Sequence, residues 1–255
     1  MKTVWGIIFG LILGLVATAA APDVCYVCGK SLLTGKVWKF KEQLICDECA
    51  QIKERCSLCH FPAKAPFKAT SDGRFVCRRC EPTTILKLEQ AQALWDELVS
   101  QIDTMSKGQL VLKQKAVTLS LYDIDYWNSQ NGKALPPEMR RAGLSQSRPT
   151  SQGMAHAVLL FSGLSRDETR SVLAHEFTHL WINENTAAGR KIDPRTVEGL
   201  CELVAYALNR ELNIPAQNEF ILKNTYTKGR INELVEMEKQ YSFKAIMGWV
   251  VDSKD

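Results

Sequence analysis

His175, Glu176 and His179 stand in the run HEFTH, the pattern HExxH. Side chains four apart on a helix leave one face one turn apart, so both imidazoles can bind one zinc ion. Glu176, beside the first histidine, can reach a metal-bound water as general base. Eighteen residues separate His179 from Glu198, which Gly199 follows directly. A carboxylate is a common third ligand where two histidines begin a catalytic zinc site, with the fourth position open to water. Glu202, one helical turn beyond Glu198, can accept a hydrogen bond from the far nitrogen of a ligand histidine and fix its tautomer. HExxH alone fixes three letters and arises by chance in long sequence collections. The Glu-Gly on a second helix and the carboxylate one turn later give it weight, and the motif takes two of the chain's four histidines.

Those side chains need two helices, and both have start signals. Ser165 to Glu168 is an S-x-x-E capping box ahead of the HEFTH run. Asp193-Pro194 reads as N-cap and first helical residue of the Glu198 helix. Before them, Ile85, Leu88, Leu94, Trp95, Leu98 and Ile102 recur near helical spacing, so Thr83 to Ser106 is expected as one amphipathic helix. Val117 to Ile124 alternates and predicts a strand, as does Ala155 to Phe161. His156 on the second strand is expected to face solvent. Asn128 to Gly153, rich in Asn, Gly, Pro and Ser, is expected as a long loop at the rim of the cleft. After Leu212, helices are expected over Gln217 to Thr225, Arg230 to Gln240 and Ser242 to Val250. Cys201, among Leu200, Leu203 and Val204, is expected as a small core residue.

Eight of the nine cysteines form four C-x2-C pairs: Cys25/Cys28, Cys46/Cys49, Cys56/Cys59 and Cys77/Cys80. Seventeen residues separate the pairs within each half, and six separate the halves, so the region is an internal repeat. Each pair is a turn aiming two thiolates at one metal, and two such turns complete a tetrahedral four-cysteine zinc site. Disulfides and redox pairs are the rivals, but disulfide frameworks seldom repeat C-x2-C four times at matched spacing. Such small modules have little core, so metal supplies most of their folding energy. From Cys25 to Glu81, eleven Lys and Arg face six Asp and Glu. Eight thiolates and two zinc ions reduce that surplus to about +1, so no nucleic-acid-binding face is expected. A protein-binding or domain-bracing role fits better.

The cysteine repeat resembles tandem LIM zinc fingers, with a longer connection, AQIKER, and no histidine at the usual ligand position. HEFTH, eighteen residues and Glu198-Gly199 resemble the gluzincin metallopeptidases. The longer run AVLLFSGLSRDETRSVLAHEFTHLW with VEGLCELVAY resembles the LIM-domain, ubiquitin-activated "DA-one" peptidases of plants, over roughly Leu119 to Leu212. No ubiquitin-interacting helices precede the repeat, and the chain begins with an export signal, so it reads as an exported, bacterial-type relative. The resemblance implies His175, His179 and Glu198 as ligands and Glu176 as base. It also makes Ala155 to Phe161 the sheet edge that pairs with an extended substrate. Gluzincins commonly place a Tyr or His beyond the third ligand as oxyanion donor; Tyr206, Tyr226 and Tyr241 are the candidates.

Met1 to Ala21 has a short positive start, an apolar run and Ala17-Thr18-Ala19 as a cleavage site. Uncleaved, residues 4–21 approach a membrane span. Export, to a periplasm or beyond the cell, is expected either way, with membrane attachment only if the segment is retained. With 255 residues, 45% hydrophobic, the chain can bury a real core. A net charge of +4 argues against nucleic acid or an anionic membrane as partner.

The expectation is an α+β chain: signal peptide 1–21, LIM-like double zinc module 25–81, and a mainly helical gluzincin peptidase domain with a small sheet, 83–255. Its function would be peptide-bond hydrolysis by a zinc-activated water with Glu176 as base. One catalytic and two structural zinc ions are expected. Partners would be a peptide or protein substrate and a protein at the LIM-like module. An exported adaptor with an inactive peptidase fold, or a thiol redox protein, are the readings from other classes. The intact His175, Glu176, His179 and Glu198 set argues against the first.

Overall fold

The computed structural model describes residues 24–131, 142–187 and 190–252. The expected signal segment lies outside them, as do residues 132–141 of the expected loop. The chain divides into two compact units, Met1–Lys53 and Glu54–Asp255. The division falls between the two cysteine modules, so the second module shares a unit with the helical domain. Among the described residues no helix is long and apolar enough to cross a membrane.

In the first unit, the Cys25–Cys28 turn is closed by the Gly29 amide donating to the Cys25 carbonyl at 2.8 Å, with Gly29 at φ +74°. That left-handed backbone favours glycine. Strands β1 (Val37–Phe40) and β2 (Gln43–Cys46) pair antiparallel, and β2 runs into the short helix α1 (Asp47–Ala50), which carries Cys49. The second unit begins with the same device. The His60 amide donates to the Cys56 carbonyl at 2.9 Å, and His60 takes a left-handed φ of +65° where the first module has glycine. Strands β3 (Lys68–Ala69) and β4 (Phe75–Val76) form its hairpin.

A 3-10 turn at Glu81–Thr83 leads into helix α2 (Leu88–Ser106), which begins five residues after the expected helix and ends with it. Strand β5 (Val117–Tyr122) ends two residues before the expected strand, and helix α3 (Ile124–Asn131) takes Ile124 from that strand and Asn128 to Asn131 from the expected loop.

The expected loop is corrected in part. Gly143–Thr150 is strand β6, joined through Ser151 and Gln152 to β7 (Gly153–Phe161). The sheet order is β5-β7-β6, with β7 parallel to β5 and antiparallel to β6. Among the described residues β7 is thus central rather than an edge, and β5 and β6 form the two edges. Pro149 on β6 fits that place, because proline is tolerated where no ladder bond is required. His156 on β7 is therefore buried, at 4% exposure, instead of facing solvent.

Helix α4 (Arg166–Asn185) carries HEFTH and packs on the sheet, on α2 and on helix α5 (Pro194–Glu211). It is buried nearly all round, with Leu173, Phe177, Leu180 and Trp181 in the core, as expected for a central helix. Helices α6 (Pro215–Lys223), α7 (Arg230–Tyr241) and α8 (Phe243–Asp252) close the domain and match the three expected C-terminal helices within two residues at each end. Gly199 lets α7 come close, since a Cβ there would meet Arg230 Cγ and Leu234 Cδ1 at 2.9 Å.

Candidate metal centre

Both helices start as the sequence indicates. The Ser165 hydroxyl accepts from the Glu168 amide at 3.2 Å, and the Asp193 carboxylate accepts from the Thr196 amide at 3.1 Å. A buried Ser171–Asn209 pair, 2.8–3.0 Å apart, ties α4 to α5 beside the site.

Between the two helices, three expected ligands converge. His175 Nε2 is 3.1 Å from His179 Nε2 and 3.2 Å from Glu198 Oε2, which is 3.7 Å from His179 Nε2. Ligands about 2.0–2.1 Å from a tetrahedral metal stand about 3.3 Å apart, so this triangle has the size of one face of such a site. Glu202 Oε1 lies 3.5 Å from His175 Nδ1, the nitrogen turned away from the triangle. The Cys201 thiol is also within 4.8 Å of the two histidine nitrogens. Burial, then the Glu198, Glu176 and Glu202 charges, push its pKa well up. The protonated thiol is a poorer ligand than the Glu198 carboxylate.

Burial disfavours a charged His175, but bonds from Glu198 and Glu202 outweigh it and raise its pKa to about 10. The Glu198 carboxyl is held far below its usual range by His175 and His179, against the opposing effect of burial. Metal binding at His175 is therefore expected to displace a proton at neutral pH. Calorimetry in buffers of different ionisation enthalpy should record that release, with metal affinity rising from pH 6 to pH 8. A flat profile would exclude it.

Glu176 is buried beside the triangle, against β6. The contact requires Gly143: a Cβ there would come within 2.6 Å of Val172 Cγ1 and 2.8 Å of Glu176 Oε1. Gly143 was not among the residues expected at the site. Its signal was a lone glycine in a stretch that pairs as a strand, which marks close backbone approach. Gly143→Ala is expected to displace the Glu176 carboxylate and to lower any peptide hydrolysis at this site on the order of 10²-fold, with metal content intact. Unchanged turnover on a peptide substrate would refute this role for Gly143.

Further along α4, His156 binds through both ring nitrogens: Nδ1 is 2.9 Å from the Ser147 hydroxyl of β6, and Nε2 is 3.0 Å from Glu184 Oε1 of α4. Glu184 also accepts from the Lys113 and Gln114 amides. These contacts fasten the edge strand to the HEFTH helix. Of the three tyrosines, Tyr226 has its ring 6.4 Å from that of His175. Tyr206 faces Arg210, and Tyr241 is 60% exposed.

The eight paired cysteines form two clusters, each able to hold one metal ion. The Cys28–Cys46 and Cys59–Cys77 sulfurs are 3.8 Å apart, and all eight thiols are free of disulfides. A tetrahedral site with zinc–sulfur bonds of about 2.3 Å has sulfurs about 3.8 Å apart. Burial opposes ionisation of Cys25 and Cys56, yet backbone amides outweigh it. Those of Cys46, Cys28 and Val27 lower Cys25 to about 6, and those of Cys77, Cys59 and Leu58 lower Cys56 to about 7. Each module thus has one thiolate already favoured.

Residues 127–242 match the family model described as "DA1-like: Protein DA1". That range includes every residue of the α4–α5 site and Tyr226. The chain is 25% identical over 197 residues to Protein DA1 of Arabidopsis thaliana, covering 64% of this chain and 36% of that protein. It is 24% identical over 165 residues to Protein DA1-related 2 of the same plant, covering 53% of this chain and 30% of that protein. The chain therefore spans about a third of the length of these curated relatives. No solved structure gives a significant match. Residues 127–242, which carry HEFTH and Glu198, are thus similar to the DA1-like family.

Proposed function

We propose that the chain is a zinc-dependent peptidase of gluzincin type. His175, His179 and Glu198 hold the catalytic ion, and the two cysteine clusters hold structural zinc. The observation that carries this reading is the triangle of ligand atoms, 3.1–3.7 Å on its sides, with Glu176 buried next to it. Zinc, when bound, supplies Lewis acidity toward the scissile carbonyl. Glu176 takes a proton from the attacking water and returns it to the leaving amine. Glu202 holds the ring orientation of His175 through Nδ1. The edge of β6 away from β7 pairs with an extended substrate as an added strand. The N-terminal segment directs export, and the LIM-like modules bind protein or brace the domain.

Tyr226 donates to the developing oxyanion. Tyr226→Phe is expected to lower kcat by roughly 10²–10³-fold with little change in KM. Equal losses from Tyr206→Phe or Tyr241→Phe would contradict that assignment. The reading as a whole is tested by mapping cleavage of a peptide library by the purified, zinc-loaded chain. Discrete internal or terminal cuts support it; a fully metal-loaded chain that cuts nothing leaves the inactive adaptor.

A further inference from the structure

Between α5 and α7 is an open pocket of about 360 Å³, lined by Asp193, Arg195, Thr196, Thr227, Lys228, Arg230 and Glu233. Its floor includes the buried residues Thr196 and Thr227, and its walls carry Arg195, Lys228 and Arg230 with Asp193 and Glu233. Both acids are already engaged. Asp193 accepts from the Thr196 amide and lies 3.6 Å from Arg195, and Glu233 binds Arg230 at 2.6 Å. Lys228, an exposed residue, has no carboxylate partner among the described residues. Arg230 also keeps a buried Nε without an acceptor. The cavity therefore has one cation more than its acids neutralise.

Its place gives that surplus a use. Thr196 lies two residues before Glu198 on α5, and the Arg230 stem packs on Gly199. Thr227 follows Tyr226, whose ring faces His175. The cavity is thus built from sequence neighbours of the third candidate ligand and of the candidate oxyanion donor. We infer that it is a carboxylate-binding subsite, taking one carboxylate of a peptide that crosses the metal site. This inference rests on the peptidase reading. The carboxylate comes either from an Asp or Glu side chain near the scissile bond or from the peptide's C-terminus. The same recognition chemistry serves both, with different consequences: an acid-selective endopeptidase in the first case, an enzyme trimming chain ends in the second.

Matched peptides distinguish these sources. One set replaces Glu by Gln at each position around the mapped cut, and the other compares a free C-terminal acid with its amide. With the zinc-loaded chain, kcat/KM should favour the carboxylate member of one set by roughly 5–10-fold, as for a partly exposed ion pair. Lys228→Glu should bring that ratio to one or below, and Lys228→Gln should bring it close to one. Anisotropy of labelled peptides on the zinc-loaded Glu176→Gln chain should show the same ratio in Kd, independent of turnover. A preference confined to internal Glu identifies the side-chain source, and one confined to the free acid identifies the terminus. Cleavage with no carboxylate preference in either set, or a preference that survives Lys228→Glu, overturns the subsite alone. A zinc-loaded chain that neither cuts nor binds any peptide overturns the peptidase reading and the subsite with it.

Discussion

Glu176→Gln should bind as much metal as the parent chain, melt at the same temperature, and hydrolyse peptides about 10²–10⁴-fold more slowly. The side chain lies beside the ligand triangle without belonging to it, and glutamine preserves its size and most of its packing against β6. Only the capacity to take a proton is removed. Glu198→Gln should behave differently: a weaker ligand loses metal and activity together. Glu202→Gln should fall between, with metal affinity or activity down roughly 10–100-fold, because it acts through His175. Metal analysis by mass spectrometry beside steady-state kinetics separates the three. A Glu176→Gln chain as fast as its parent would show that HEFTH serves another purpose.

Arg74→Met is expected to cost the second unit about 3–5 kcal/mol, because it leaves a buried carboxylate without its cation. The Asp72 side chain is fully covered, and Arg74 Nε lies 3.0 Å from it. Arg74 also donates to the Ser162 carbonyl at 2.8 Å and lies 4.4 Å over the Phe161 ring, while Asp72 accepts from the Ile124 amide at 3.0 Å. The β3–β4 hairpin of the second cysteine module is thereby fixed to the ends of β5 and β7. Three residues after Ser162 is Ser165, the cap of the HEFTH helix. Burial works against the Asp72 charge, but Arg74, Thr70 and the Ile124 amide outweigh it and hold its pKa at about 2. A carboxyl lowered from its unfolded value stabilises the fold above about pH 4, and the gain is lost as pH falls through about 2. The Arg74→Met penalty should therefore be full at neutral pH, a fall in Tm on the order of 10 °C. Replacing both partners, Asp72→Asn with Arg74→Met, should recover part of it. A fall of only a degree or two in thermal melts would mean the hairpin is not a brace.

What could be read in the sequence was local. Ser165 and Asp193 announce the two site helices because capping is settled within four residues, and the spacing of His175 and His179 fixes a shared face once the helix forms. The four C-x2-C turns are legible for the same reason. What could not be read depends on partners distant in sequence. Gly143 to Thr150 has the composition of a loop, and only its pairing with β7 makes it a strand. The position of β7 in the centre of the sheet, and with it the burial of His156, follows from that pairing. Neither Asp72 nor Arg74 has a signal of its own, since their partners Ser162 and Ile124 are brought to them by the fold. Cys201 was rightly expected among apolar neighbours, but its closeness to the histidines comes from the way α5 crosses α4.

The most direct test is zinc titration of the purified, metal-stripped chain with peptide hydrolysis followed at each step. Saturation is expected at three zinc ions per chain, with hydrolysis appearing only as the site formed by His175, His179 and Glu198 fills and disappearing again on chelation. Hydrolysis at full strength in the metal-free chain, or none at three bound zinc ions, would contradict the peptidase reading.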